Sequence, residues 1–159
     1  MTNTTKKTIL KTQPSLSTPR LILNQFTLDD VPEVQAICSN KAIAVTTTHI
    51  PHPYTKDMAI EWIQKHQQSF EQSKSVVFAI RNHTKTSLIG CISLIIDQDN
   101  NNAELGYWIR KEDWNNGYCT EAGKAIIAFG FEQLHLNKIF ADHMTRNPAS
   151  GKVLEKLDS

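Results

Sequence analysis

Residues 113–126 read DWNNGYCTEAGKAI, and the fold turns on what this stretch joins. Ahead of it, NAELGYWIR (102–110) carries the two-residue alternation of a strand. Behind its polar head, Ala122, Ala125, Ile126 and Phe129 match the i, i+3, i+4, i+7 spacing of one helical face. The stretch therefore reads as a strand-to-helix junction with Gly117 at its centre. A helix start leaves its first four N–H groups without intrahelical partners and carries a partial positive charge. Glycine allows close backbone approach and positive φ. Two readings follow: an anion, phosphate most naturally, held against those N–H groups, or an ordinary helix start whose glycine relieves a turn. Neither the GxxxxGK[ST] loop nor the GxGxxG fingerprint is present.

Working outward, three strand-like runs precede the junction: SVVFAIRN (75–82), SLIGCISLII (87–96) and NAELGYWIR, separated by the turn-rich HTKT and DQDNNN. They predict an antiparallel meander. Earlier, RLILNQF (20–26) alternates Leu21, Leu23 and Phe26, and Thr27 can cap the helix in DDVPEVQAICSN, where Val31, Val34 and Ile37 have helical spacing. A second helix, KDMAIEWIQKHQQSFEQ, places Ile60, Ile63, Gln67 and Phe70 on one stripe. The intervening AIAVTTTHIPHPYT, with two prolines and two histidines, reads as a surface loop. After the junction helix come a strand in NKIFADHM and a short helix in PASGKVLEKL, opened by Asn147 and Pro148. One helix crosses between the strands of Trp108 and Phe140, so that pair is expected to be parallel within a mixed, mostly antiparallel sheet of an α/β (α+β) domain.

At 159 residues the chain suits a single domain, expected over 18–159, with residues 1–17, rich in Thr, Lys and Ser, as a flexible tail. Seventeen basic against sixteen acidic residues leave a formal net charge of +1, which argues against a nucleic-acid partner. Cys38, Cys91 and Cys119 are odd in number and lack a CxxC pair, fitting reduced thiols in the cytoplasm and no structural metal. No apolar run approaches the ~20 residues a membrane span requires, and no signal-like h-region opens the chain.

WNNGYCTEA resembles the pyrophosphate motif of the GCN5-related N-acetyltransferases, commonly Q/R-x-x-G-x-G/A, in the WGxGYATEA form of the RimJ/RimL-type subgroup that acetylates ribosomal-protein alanine. TPRLILNQFTLDD, AELGYWIRKEDW and RNPASGKVLEKL are similar to further stretches of that subgroup, in the same order, so the resemblance spans residues 18 to about 157. It implies a GNAT fold whose central strands splay apart, with acetyl-CoA between them, and direct transfer of an acetyl group to a primary amine. The acceptor would be a protein N-terminal α-amine, such as a ribosomal protein's, or a small-molecule amine.

On the resemblance, the backbone of Asn115, Asn116, Gly117, Tyr118 and Cys119, continuing to Thr120, would cradle the pyrophosphate. Trp114 stands at the Gln or Arg position, Asn115 at a frequent Gly, and Cys119 at an Ala or Gly. Acetyl transfer needs a base for the amine, donors for the carbonyl oxyanion and a proton for the leaving thiolate. The strand around Tyr107, Trp108 and Ile109 would supply the donors and Glu104 the base, with His49 and His52 in reserve. Asn147 and Ser150 would face the cofactor, Ser150 protonating its sulfur. Asp158 occupies the glycine position of a KLGF-like sequence, and a final strand is expected to be missing after it. Three outcomes follow for the exposed edge: a truncated, weakened protein, cover from a second copy in a homodimer, or the N-terminal tail folding into the gap. The competing reading is a non-catalytic coenzyme A-binding or protein-interaction module with the same fold.

Overall fold

The structure, a computed structural model, describes residues 13–40, 54–83, 87–114 and 116–141. Six strands form one sheet in the spatial order β1-β2-β3-β4-β5-β6: β1 Leu16–Ser17, β2 Leu21–Asn24, β3 Ser75–Asn82, β4 Leu88–Asp97, β5 Asn102–Ile109 and β6 Lys138–Ala141. Neighbours are antiparallel up to β5, and β5 pairs with β6 in parallel. The parallel pair follows from the crossover between them, α3 (Tyr118–Glu132). The other helices are α1 (Val31–Cys38) and α2 (Lys56–Glu71).

Alternation along the strands splits the side chains between two cores. Leu23, Phe78, Ile92, Leu94, Leu105 and Ile109 pack with Ala122, Ile126 and Phe129 of α3, where Phe78 and Phe129 meet edge-on at 5.6 Å. Val77, Ala79, Cys91 and Trp108 face the other way, toward Val34 of α1 and Ile63 of α2. The small Ala79 and Cys91 leave room there for large rings. Trp62 lies 5.0 Å from Phe26, 4.4 Å from His66 and 6.1 Å from Trp108. His66 has both ring nitrogens buried without a hydrogen-bond partner, and burial lowers its pKa to about 4.

The α2 stripe is rotated from the spacing predicted for it. Ala59, Ile63 and Phe70 are buried, but Gln67 is exposed and hydrogen-bonds Glu71, and His66 is the residue turned among the aromatics. The helix begins where Thr55 accepts a hydrogen bond from the Met58 N–H at 3.2 Å.

Composition places the end of the tail too late. Gln13 is buried and donates its amide to the Val77 carbonyl at 2.7 Å, and Leu16 and Ser17 pair with Leu23 and Ile22. The packing comes from partners far along the chain, so Leu16 and Ser17 belong to the sheet and Gln13 packs against it, although this stretch carries no periodicity of its own. Residues 1–12 and 142–159 lie outside the described residues, and with them the end of the predicted NKIFADHM strand, the PASGKVLEKL helix and the expected missing strand.

A buried ion pair ties the β2–α1 connection to β3. Arg81 donates to both oxygens of Asp30, at 2.8 and 2.7 Å, and through Nε to Asn24 Oδ1 at 2.8 Å. The other contact to Asp30 comes from the Thr27 N–H at 2.8 Å. Burial alone would raise the Asp30 pKa, but these donors and the Arg81 charge hold it below the usual value.

Candidate active site

The parallel pairing of β5 with β6 runs from Asn102↔Lys138 to Leu105↔Ala141. Strand β5 then continues through Gly106 to Ile109, beyond the last described residue of β6. The Arg110 N–H donates to the Ile89 carbonyl at 2.9 Å, so Gly90 and Ile109 form a narrow, non-hydrogen-bonded pair, and the main-chain groups of Ile109 turn away from β4. Those of Tyr107 share that direction, whereas those of Trp108 turn to Cys91 on β4. The predicted oxyanion donors divide by the phase of the strand: the main-chain groups of Trp108 turn to β4, and those of Tyr107 and Ile109 turn to the other side of β5. Gly90 is bare because a Cβ there would come within 2.3 Å of the Trp108 carbonyl oxygen.

A short 3-10 turn, Lys111–Asp113, leads from β5 to the junction, closed by an ion pair between Arg110 and Asp113. Trp114 bridges the two cores and donates its indole N–H to the Ile109 carbonyl at 2.8 Å. Asn116 returns its amide to the Asp113 carbonyl. Gly117 then takes φ 77° and ψ 7°, the left-handed region, as the residue before α3. The first helical bond of this turn runs from the Glu121 N–H to the Gly117 carbonyl, so the N–H groups of Tyr118, Cys119 and Thr120 precede it. These donors suit a diphosphate, and the glycine that shapes them admits no side chain without strain. Beside them lies a cavity of about 570 Å³ lined by Thr18, Gly117, Thr120, Glu121 and Lys124 among others.

Cys119 does not crowd this cradle. Its side chain is 7% exposed and packs into the α3 core, and burial raises its pKa, leaving a protonated thiol turned inward. Glu104 lies on the opposite face of β5, the face of Gly106 and Trp108, and is half-buried between Ile95 of β4 and Phe140 of β6. Asn115, Asn147, Ser150, His49 and His52 fall outside the described residues. Among the described residues no cluster of His, Cys, Asp or Glu could hold a metal ion.

Sequence reasoning missed what fastens the cradle. Arg20 donates from Nε to Glu121 Oε1 at 2.6 Å and from Nη1 to the Asn116 carbonyl at 2.9 Å, and its guanidinium stands 4.7 Å from the Tyr118 ring centre. Both partners occur in the motifs quoted above, TPRL and CTEA, but their separation of 101 positions hides the contact.

A left-handed glycine turn ahead of a helix whose first N–H groups precede its hydrogen bonds suits a phosphorylated carrier. Residues 20–159 match the Acetyltransferase (GNAT) domain family, and the chain belongs to that family: it is an acetyl-CoA-dependent N-acetyltransferase. It is 31% identical over 145 residues to the uncharacterized N-acetyltransferase YoaA of Bacillus subtilis (strain 168), covering 91% of this chain and 81% of YoaA. Among solved structures, RimL, a ribosomal α-N-protein acetyltransferase, superposes with a TM-score of 0.76 at 14% identity, over 90% of this chain and 78% of RimL. The spermidine N-acetyltransferase of Vibrio cholerae, solved with CoA and spermine, gives a TM-score of 0.74 at 23% identity, over 87% and 80% of the two chains. These likenesses show the shared fold.

Proposed function

We propose that the chain transfers the acetyl group of acetyl-CoA to the α-amino group of a protein N-terminus, in the manner of the RimJ/RimL-type enzymes. The observation that carries the cofactor half is Gly117 in the left-handed region at the head of α3. The main-chain N–H groups of residues 115–120 hold the pyrophosphate. Bound acetyl-CoA supplies an activated thioester. Main-chain N–H groups of β5 around Tyr107 to Ile109 would stabilise the oxyanion. Glu104 takes the proton of the amine, directly or through water, and Asn147 and Ser150 contact the cofactor, Ser150 returning a proton to its sulfur.

The surroundings of Glu104 support an acceptor with a single amine. Its cross-strand neighbours are Ile95, 53% exposed, and Phe140, 43% exposed, and Lys138 stands two residues from Phe140 on the same face. A polyamine would gain from several carboxylates, which this row lacks. The enzyme acts in the cytoplasm as a homodimer, where its three cysteines stay reduced, without nucleic acid or membrane.

Thiol release from acetyl-CoA, measured with an N-terminal peptide, a small monoamine and spermine, tests the acceptor. Turnover with the peptide is expected, and a preference for spermine would overturn the acceptor reading. Coenzyme A should raise the melting midpoint of the wild-type protein but not of Gly117→Asp, whose carboxylate repels the phosphates. An equal shift in that variant would sink the cradle. Glu104→Gln should lower turnover by about 100-fold with the coenzyme A shift intact; normal rates would remove Glu104 from the chemistry.

A further inference from the structure

We propose that Arg20 is a positioning residue for the cofactor: it neutralises Glu121 and orients the Asn116–Gly117 peptide, so that the cradle presents N–H groups and no bare carboxylate to the phosphates. The proposal rests on the cofactor reading above and adds a residue outside the glycine turn to it.

Glu121 is an awkward neighbour for an anion. It sits in the first turn of α3, one residue beyond the N–H donors, and its side chain is only 17% exposed. Burial alone would raise its pKa, but the Thr18 hydroxyl, the Arg20 N–H at 2.8 Å and the Arg20 guanidinium bring it below the usual value, so the carboxylate is ionised at neutral pH. Left alone, that charge would oppose a diphosphate at the same helix end. Arg20 and Thr18 occupy both carboxylate oxygens and bind them to the turn between β1 and β2.

The rest of the guanidinium sets the peptide geometry. Nη1 draws the Asn116 carbonyl toward Arg20, and in a planar trans peptide the N–H of Gly117 must then point the opposite way. A Cβ on Gly117 would stand 3.4 Å from Nη2, so the fork lies against the bare side of the turn, while its plane covers the Tyr118 ring. Lysine keeps the charge but has no planar fork to serve Glu121 and the Asn116 carbonyl together.

Calorimetric titration with coenzyme A tests this without knowledge of the acceptor. Arg20→Ala should weaken binding by about tenfold or more, the scale of one lost charge-assisted contact. Arg20→Lys should fall between that variant and the wild type. The deciding comparison is Arg20→Ala combined with Glu121→Gln, which should bind coenzyme A more tightly than Arg20→Ala alone, because no naked carboxylate remains. A merely structural tie would leave the double variant no better than the single. That result, or wild-type affinity in Arg20→Ala, overturns the proposal. If Arg20→Ala does not fold, Arg20→Lys decides, with wild-type affinity counting against the role. Failure of the wild-type protein to bind coenzyme A would instead bring down the cofactor reading itself.

Discussion

Arg20–Glu121 and Arg81–Asp30 are the same chemistry in two settings. Side-chain exposures are 48% and 17% in the first pair, and 12% and 7% in the second. A pair near water contributes little to stability because solvent screens it and its long side chains lose entropy. In a desolvated pair, loss of one partner strands the other charge. The pair at the head of α3 can therefore be spent on shaping a ligand site, whereas the pair under α1 is committed to holding the fold. The hydrogen bonds agree with this division: Arg20 reaches a carbonyl of the cradle, and Arg81 reaches Asn24 and Gln25 of the chain that leads into α1.

The largest effect should come from breaking the buried pair. Arg81→Ala is expected to lower unfolding free energy by about 3–5 kcal/mol in urea titrations, since Asp30 is left charged among apolar side chains. Adding Asp30→Asn should recover part of that loss, and an additive further loss would mean that the two residues act separately.

Next in size is the acid response of the face that carries Arg81. His66 has its folded pKa lowered to about 4 by burial. The unfolded chain therefore binds the extra proton first, and stability is complete above roughly pH 6.5 and declines as pH falls toward about 4. The decline should be on the order of 3 kcal/mol. His66→Phe, which stays neutral among Phe26, Trp62 and Trp108, should remove most of it. An unchanged acid slope between pH 6.5 and 4 would place the titrating group elsewhere; the loss that follows protonation of Asp30 begins lower, through the carboxylate range, because its folded pKa is lowered.

The smallest effect on stability is expected at the open pair. Arg20→Ala should cost less than about 1 kcal/mol, even as it weakens coenzyme A binding. A loss as large as that of Arg81→Ala would erase the contrast between the two pairs.

Strand β3 has the predicted limits, Ser75–Asn82, because a short apolar run bounded by turn residues marks a strand covered on both faces, and Val76 to Ile80 are all buried. Strand β4 is legible for the same reason and β5 in its two-residue alternation, and the left-handed turn is legible in Gly117 because that conformation is a local demand. β1 is different: two residues have no period, and their partners on β2 supply the reason for them to be a strand. On α2, Gln67 and His66 are both polar letters, and only the neighbouring rings decide which turns inward.

By itself, then, the sequence determined the alternating strands, the amphipathic crossover helix and the glycine turn joining them, since each follows from residues close in the chain. Tertiary structure alone decided the rest. It set which main-chain groups of Tyr107, Trp108 and Ile109 turn to β4 and which turn away, because that phase depends on the register of the two strands. It turned Cys119 into the core, brought Arg20 to Glu121, and set His66 against Phe26. Such contacts join residues distant in the chain, and their energies depend on burial and orientation that no local spacing encodes.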